Sequence, residues 1–485
     1  MGAPILRRTG SRQRRGRIGS SVALKLPLFI SRNAAFMRLV RGGGSVMALN
    51  VAGMAQALLL QVVLARLLGH EGYGHFAYVM AWINILVYVA VMGHDSLAMR
   101  SVAAHHARQE WALLAGVLRH ATILVGTLSI ALSSLGAFLV WTTQEVPAEL
   151  AATFLAGFVV LPLLALLRLN ASVLYGQGRV VLGTAPERLG RDAVVLALAG
   201  MAVLIAAPLT PPTVMGFVAI GGGGALVLIL YLRRRIGMLP PDAPRAVYMR
   251  RQWIASAFVL GLTGGSQLLL QRSDVLMIGW LMTAADAGVY VVACNVAELV
   301  LFPFLAVSSI VAPSFAAHYA RGERSEIASF MRTTTLSTLA GSLLIAIPLG
   351  VLAPRILGMF GPEFVDGADA ARILMLGICL RAVIGPSHLM LTMTGHERHA
   401  LWALGCAAAA NIALNLVMIP AFGIEGAASM TTLALLGSQI AMAIMAWRLI
   451  GVAPALLPRL LMPRSGRPPA GWRGPASNAP ESEGL

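Results

Sequence analysis

Runs of about 20 mostly apolar residues recur along nearly the whole chain, and each is long enough to cross the roughly 30 Å hydrocarbon core of a bilayer as a helix. They lie near 46–68, 76–97, 121–141, 151–170, 193–209, 213–232, 257–282, 287–311, 334–353, 371–393, 401–420 and 426–447. In lipid no water satisfies backbone N–H and C=O groups, so runs of this length predict helices. Composition agrees: 58% hydrophobic and 12% charged residues, with a mean hydropathy of +0.77, leave too much apolar surface for a water-soluble core. The expected fold class is all-α, a polytopic integral membrane protein with about 12 transmembrane helices.

The net charge of +17 would suggest nucleic acid in a soluble protein. Here topology accounts for it better. With a cytoplasmic N-terminus, the inner tails and loops hold 31 of the 37 basic residues, and the outer loops keep only Arg355. Both termini are therefore expected in the cytoplasm. Residues 1–44 carry ten basic and no acidic residues. Lys25 and Pro27 interrupt their apolar part and no small-residue cleavage site follows, so the segment reads as a basic cytoplasmic tail with an interfacial stretch. Its expected partner is the anionic inner leaflet rather than nucleic acid, since no aromatics are interleaved with Arg12, Arg14, Arg15 and Arg17. Cys294, Cys379 and Cys406 all fall inside predicted spans, where they read as packing residues.

An internal repeat organises the chain. SVAAHHARQE (101–110) matches SFAAHYARGE (314–323) at seven of ten positions with an offset of 213. At nearly the same offset, LLGHEGYGHFAY (67–78) faces LMTAADAGVYVV (281–292), pairing Gly74 with Gly288 and Phe76 with Tyr290. A weaker correspondence sets Gly176, Arg179 and Asp192 against Gly395, Arg398 and Asn411. Residues 233–252, polar and with two adjacent prolines, read as the linker between lobes. The expected domains are the tail 1–44, a six-helix N-lobe 45–232, the cytoplasmic linker 233–252, a similar six-helix C-lobe 253–450 and a disordered cytoplasmic tail 451–485. Six spans precede the linker, so the lobes share one orientation. Such a parallel repeat places a cavity between two lobes that can rock. Gly221 to Gly224 predict a close helix approach, and Pro162, Pro303, Pro348 and Pro386 predict either kinks or ordinary curvature.

Ionisable groups inside spans are costly and usually face a cavity or another charge. Arg381 lies near the middle of span ten, Glu298 near the middle of span eight, and Arg272 and Asp274 in span seven. Each is either part of a transport path or half of a structural ion pair. Arginine suits bidentate phosphate binding, and the carboxylates suit pairing with it or carrying a coupling proton. Arg66, Arg372 and Asp95 lie near span ends and read as structural. Asn50, Gln56 and Gln61 on span one, and Asn411 and Asn415 one turn apart on span eleven, offer hydrogen bonds either to a sugar or to neighbouring helices. The cavity candidates are therefore Arg272, Arg381, Asn50, Gln61, Asn411 and Asn415, and the coupling candidates Asp274 and Glu298.

Catalytic patterns do not appear. The chain has no GxxxxGK[ST] loop and a single lysine, Lys25, so ATP hydrolysis by that route is excluded. It has no HExxH, and His105 and His106 sit in a basic loop; no metal or cofactor is expected. The longest outer loop, about 354–370, is too short for a catalytic domain. A transporter is expected rather than an enzyme.

Three segments carry a family resemblance: LARLLGHEGYGHFAY near the first hairpin, DVLMIGWLMTAADAGVYVVA at spans seven and eight, and NIALNLVMIPAFGIEGAASMTTLA near the end. Over roughly residues 45–450 the sequence resembles the polysaccharide-transporter, or O-antigen flippase, branch of the multidrug/oligosaccharidyl-lipid/polysaccharide exporter superfamily. The resemblance implies an inner-membrane flippase that moves a polyprenyl-pyrophosphate-linked oligosaccharide by alternating access, for O-antigen or exopolysaccharide synthesis, alongside other polysaccharide assembly proteins. Competing readings are a drug or cation antiporter of the same fold, a membrane-embedded glycosyltransferase or polymerase, and a scaffold for the assembly complex.

Overall fold

The computed structural model describes residues 34–143, 146–237, 245–308 and 324–451. The repeat copy at 314–323, residues 238–244 of the linker and most of both tails lie outside the described residues. Residues 1–45 and 46–485 form separate compact units, and the second holds every predicted span.

This unit is all-helical among its described residues, with helix in each predicted span, although span five ends early at Leu204 and residues 309–311 of span eight lie outside the described residues. Eight helices are long and apolar enough to cross a membrane. Two of these are double. Helix α1 (Ala34–Val91) holds spans one and two and breaks at Gly69, whose φ of 71° lies in the left-handed region that glycine alone enters cheaply. The C-terminal helix, Glu397–Ile450, holds spans eleven and twelve and breaks in the same way at Gly423, with φ 60°. Between them run α2 (His94–Ala107), α3 (Trp111–Thr142) and α4 (Ala148–Gly176).

Span five is composite. It comprises α5 (Val180–Thr184), a π-helical turn at Ala185–Gly190 that includes Pro186, and α6 (Arg191–Leu204). Helix α7 (Pro211–Ile236) closes the first half, and α8 (Arg250–Leu281) and α9 (Ala284–Glu298) open the second. Beyond α9 a 3-10 turn at Leu299–Leu301 leads into a helical stretch over 302–308 that includes Pro303, and α10 (Arg324–Gly358) is the next described helix. Span ten splits into α11 (Ala368–Ile384) and α12 (Ser387–Met393). Pro386 lacks an N–H and disfavours α geometry in the residue before it, and Gly385 accordingly turns to φ 90°. The C-terminal helix is α13.

Large apolar side chains remain outside the bundle, among them Trp141 at 77% and Leu204 at 86% exposure, which lipid alone can cover. With eight helices among the described residues long and apolar enough to cross a membrane, two of them double, the chain is a multi-pass membrane protein. Trp141 and Trp280 sit at one end of the bundle and Trp402 near the other, as interfacial aromatics do.

The two lobes meet at both ends. At the end that carries the Gly69 break, the hairpin end, a Cβ on Gly74 would lie 2.5 Å from the Ala284 carbonyl, and one on Gly288 would lie 2.7 Å from the Gly74 Cα. The two glycines paired by the repeat thus pack against each other. Leu64, Ala65, Tyr73 and Ala77 accordingly belong to the apolar core of the C-lobe. At the opposite, linker end, Gly93 (φ 76°) abuts the Ala257 carbonyl and Gly261, and Tyr88 donates a hydrogen bond to the Gly261 carbonyl at 3.1 Å. Of Gly221 to Gly224, only Gly221 makes a backbone-close approach: its Cβ would lie 2.7 Å from the Arg191 carbonyl.

Candidate functional site

Arg381 sits in the last turn of α11, just before the Gly385 break, facing the interior of the C-lobe. It borders two small cavities, each with room for about one or two waters. The first is lined by Phe304, Thr335, Thr338, Ser342 and Gln439, the second by Gln267, Gln271, His388, Ser438 and Gln439. The guanidinium lies 5.7 Å from the centre of the Phe304 ring, and among the described residues it has no carboxylate or hydrogen-bond partner. The hydroxyls of Thr335 and Thr338 and the Nε2 of His388 are likewise buried without partners among the described residues. Unpaired buried polar atoms are uncommon because each forfeits its hydration. A cluster of them around an uncompensated cation forms a pocket suited to an oxyanion.

Asp274 occupies a different setting. It is almost wholly buried, and its carboxylate accepts hydrogen bonds from Tyr290 Oη (2.6 Å), Thr431 Oγ1 (3.0 Å) and the backbone N–H of Val275 (2.9 Å). No salt bridge joins it to Arg272. Asn411 and Asn415, both fully buried, extend this network: Asn415 donates to Asn411 Oδ1 at 3.3 Å, and Thr431 Oγ1 lies 3.5 Å from the same oxygen. Asn411 Nδ2 and Asn415 Oδ1 are left without partners among the described residues. Helices α8, α9 and α13 thus bring one carboxyl, two hydroxyls and two amides together. A group of this kind can hold or pass a proton, since it offers both donors and acceptors to the carboxyl.

Arg272 pairs with Glu298, Nη2 to Oε1, at 3.4 Å, with both side chains partly exposed. The predicted Asn50 accepts from Arg188 Nη1 at 3.3 Å, and Gln56 donates to the Leu189 carbonyl at 2.9 Å, so span one is tied to the π-helical turn. Gln61 Oε1 accepts from Asn295 Nδ2 at 2.7 Å, joining the lobes. The candidates therefore do not line one cavity: Arg381 stands apart, and the Arg272–Glu298 pair lies beside the cluster Asp274–Asn411–Asn415, within electrostatic reach of Asp274. Asn50 and Gln61 bond to neighbouring helices. Of the residues at span ends, Arg66 donates to the Met359 and Gly358 carbonyls at 2.7 and 3.1 Å, a cation on the carbonyl end of α10. Arg372 pairs with Asp369 at 2.7 Å.

Sequence reading passed over Arg168, which lies in α4 and donates from Nε to Asp95 Oδ2 at 2.9 Å while stacking 5.1 Å from the centre of the Tyr88 ring. A signal was available: Arg168 and Arg381 are separated by 213 residues, the offset of the repeat.

Comparison with known proteins places this geometry. Residues 39–317, more than half of the chain, match the model of the family described as polysaccharide biosynthesis protein. The chain belongs to that family. One relative of this polysaccharide biosynthesis protein is the probable low-salt glycan biosynthesis flippase Agl15 of Haloferax volcanii, 30% identical over 172 residues. That match covers 33% of this chain and only 34% of Agl15. Among solved structures, an inward-facing multidrug resistance MATE family transporter of the MOP superfamily is similar with a TM-score of 0.64 at 13% identity, covering 82% of this chain and 94% of that one. The lipid II flippase MurJ, in an inward closed conformation, gives 0.59 at 11% identity, covering 82% and 86%. At these identities the likeness shows a shared fold, so the chain has the fold of those transporters.

Proposed function

We propose that this protein flips a polyprenyl-pyrophosphate-linked oligosaccharide from the cytoplasmic to the outer leaflet of the inner membrane, supplying O-antigen or exopolysaccharide synthesis. The observation that carries the reading is Arg381, uncompensated and ringed by unpartnered hydroxyls, within a chain of the polysaccharide biosynthesis family. The space beside Arg381 holds about one or two waters in this conformation, so a diphosphate and its sugar enter only when the lobe opens around the arginine. With the lobes touching at the hairpin and linker ends, passage of a larger head group requires them to part at one end and then the other, while the lipid tail stays in the bilayer. An inside-negative potential favours outward movement of the anion by roughly 2.3 kcal/mol per charge per 100 mV. Asp274 in its hydroxyl and amide cluster carries the coupling proton, and the Arg272–Glu298 pair tunes the path. Both termini and the linker lie in the cytoplasm, where the basic residues 1–44 meet anionic lipids.

The reading is tested by the leaflet in which the lipid-linked glycan accumulates. Deleting the gene traps the glycan on the cytoplasmic leaflet while its synthesis continues, and an impermeant lectin or glycosidase reads this as lost access. Equal access in wild type and deletion, without a second flippase, sinks the proposal. Orientation is tested with single cysteines at Thr143, Pro241 and Glu363 in a cysteine-free background: an impermeant thiol reagent labels 143 and 363 and spares 241. A small-molecule antiporter is the second reading, favoured by the buried Asp274 alone. It predicts sensitivity to cationic compounds with surface glycan intact.

A further inference from the structure

The repeat sets two arginines in equivalent places. Carried through the chain, the offset of 213 pairs Leu161, Leu163, Leu167 and Arg168 of α4 with Leu374, Leu376, Leu380 and Arg381 of α11. The same offset, read six residues upstream of the matched Ser101 and Ser314, pairs Asp95 with Ser308. Each arginine lies over an aromatic ring a few residues before the paired position, Arg168 over Tyr88 of α1 and Arg381 over Phe304. In the N-lobe the buried Asp95 carboxylate neutralises Arg168. In the C-lobe Ser308 lies one helical turn from Phe304 and so on the same helix face. Its buried hydroxyl has no partner among the described residues, and Arg381 has no acid among them.

We infer that the uncharged residue at 308 is the specificity determinant that makes the C-lobe, and only the C-lobe, a binding site for a diphosphate head group. The inference rests on the flippase reading and deepens it. Ser308 need not touch the ligand; its neutrality matters. A carboxylate there would neutralise the guanidinium as Asp95 neutralises Arg168 through Nε, and it would compete for the charge that grips two phosphate oxygens at once. The unpartnered hydroxyls of Thr335 and Thr338 supply donors for the remaining oxygens. The six residues by which the stretch from Arg381 to Gly395 exceeds that from Arg168 to Gly176 span the Gly385–Pro386 break, which opens the helix beside Arg381 in this lobe alone.

The test measures inorganic pyrophosphate binding to the purified full-length protein in detergent, with thermal unfolding as a folding check. Ser308→Asp should weaken binding by about tenfold or more while leaving the unfolding temperature unchanged or higher, whereas Ser308→Asn, of similar size without charge, should stay close to wild type. Wild-type binding by Ser308→Asp, or an equal loss in Ser308→Asn, overturns the inference while leaving the anion site standing. Wild-type binding by Arg381→Ala instead removes the anion site and the reading beneath it. If Ser308→Asp does not fold, Asp95→Ser asks the converse question: it should free Arg168 and raise the stoichiometry from one towards two, and an unchanged stoichiometry counts against the inference. Farnesyl diphosphate should compete with pyrophosphate and phosphatidylglycerol vesicles should not. Competition by the vesicles would reassign the pocket to ordinary lipid phosphate and defeat the diphosphate claim.

Discussion

The two lobes carry the same arginine at the same place in the repeat and treat it in opposite ways. In the N-lobe, Arg168 is held by Asp95 at 2.9 Å and by the Tyr88 ring, and the same Tyr88 reaches across to Gly261 of the C-lobe. In the C-lobe, Arg381 keeps the aromatic contact and lacks the acid, and its neighbours Thr335, Thr338 and His388 are left unsatisfied. Satisfied buried charge stabilises a geometry, whereas unsatisfied buried charge costs stability and is retained where a ligand completes it. On our reading duplication supplied two frameworks, one used as a structural lock and the other kept as a site.

The strongest way to break this contrast is to remove each arginine in turn. Arg381→Ala should reduce transport by about tenfold to a hundredfold, the worth of one to two charged hydrogen bonds, with normal amounts of protein in the membrane. Arg381→Lys should recover only part, since the planar fork is lost. Arg168→Ala should instead lower the amount of folded protein. If both variants fold and only Arg168→Ala loses transport, measured as outer-leaflet access of the glycan, the assignment of roles is reversed.

The glycines at the two ends sharpen the comparison. Gly74→Ala drives a Cβ into the Ala284 carbonyl at 2.5 Å, and overpacking of this kind costs about 1–3 kcal/mol. Gly93→Ala meets the Ala257 carbonyl and must also hold φ near 76°, which adds left-handed strain of about 1–2 kcal/mol. Each change should bias the lobes towards opening at its own end, and Gly93→Ala should do so more. Labelling of single cysteines placed along α8 and α9 reads the bias. Equal labelling of both variants and the parent would mean that these contacts do not close the lobes.

Much of this was legible in the sequence because lipid imposes a strong pattern: a span must be about 20 apolar residues, so hydropathy located the long helices. Pro386 marked the place of the Gly385 break but left it open between a kink and ordinary curvature, and the π-helical turn of 185–190 was less legible still. Asp274, Arg272, Glu298 and Arg381 stood out as costly charges, yet the separation of Arg381 from the other three depends on which faces of α8, α9, α11 and α13 meet. Asn50 and Gln61 looked like sugar ligands by residue type, but a neutral amide bonds a neighbouring helix as readily, and Arg188 and Asn295 are the partners found. Arg168 escaped notice because it was not read against its repeat partner.

Asp95→Asn tests the lock itself. It leaves Arg168 with a neutral acceptor, and since the Arg168 side chain is 39% exposed the loss should fall below that of a fully buried pair, about 1–2 kcal/mol. A drop in unfolding temperature with transport retained fits a structural pair. Lost transport at unchanged stability would make Asp95 part of the path.

The smallest expected effect concerns Arg100 and Glu397, which pair at 3.6 Å across the lobes at the linker end. Both side chains are about half exposed, at 60% and 47%, so water screens the attraction and the flexible side chains pay entropy to meet. Exposed pairs of this kind contribute about 0.2–1 kcal/mol, which shifts a two-state balance between closed and open linker ends by no more than about fivefold. Because the pair lies across an opening, its loss should appear as a change in conformational population rather than in stability. Arg100→Ala should therefore raise labelling of a cysteine on the linker-end half of α8 at low salt, and the increase should vanish near 1 M salt, where the screening length falls to about 3 Å. A salt-independent increase would mean that Arg100 acts by packing along α2, and the linker end would then be held by the Gly93–Gly261 contact and Tyr88 without help from charge.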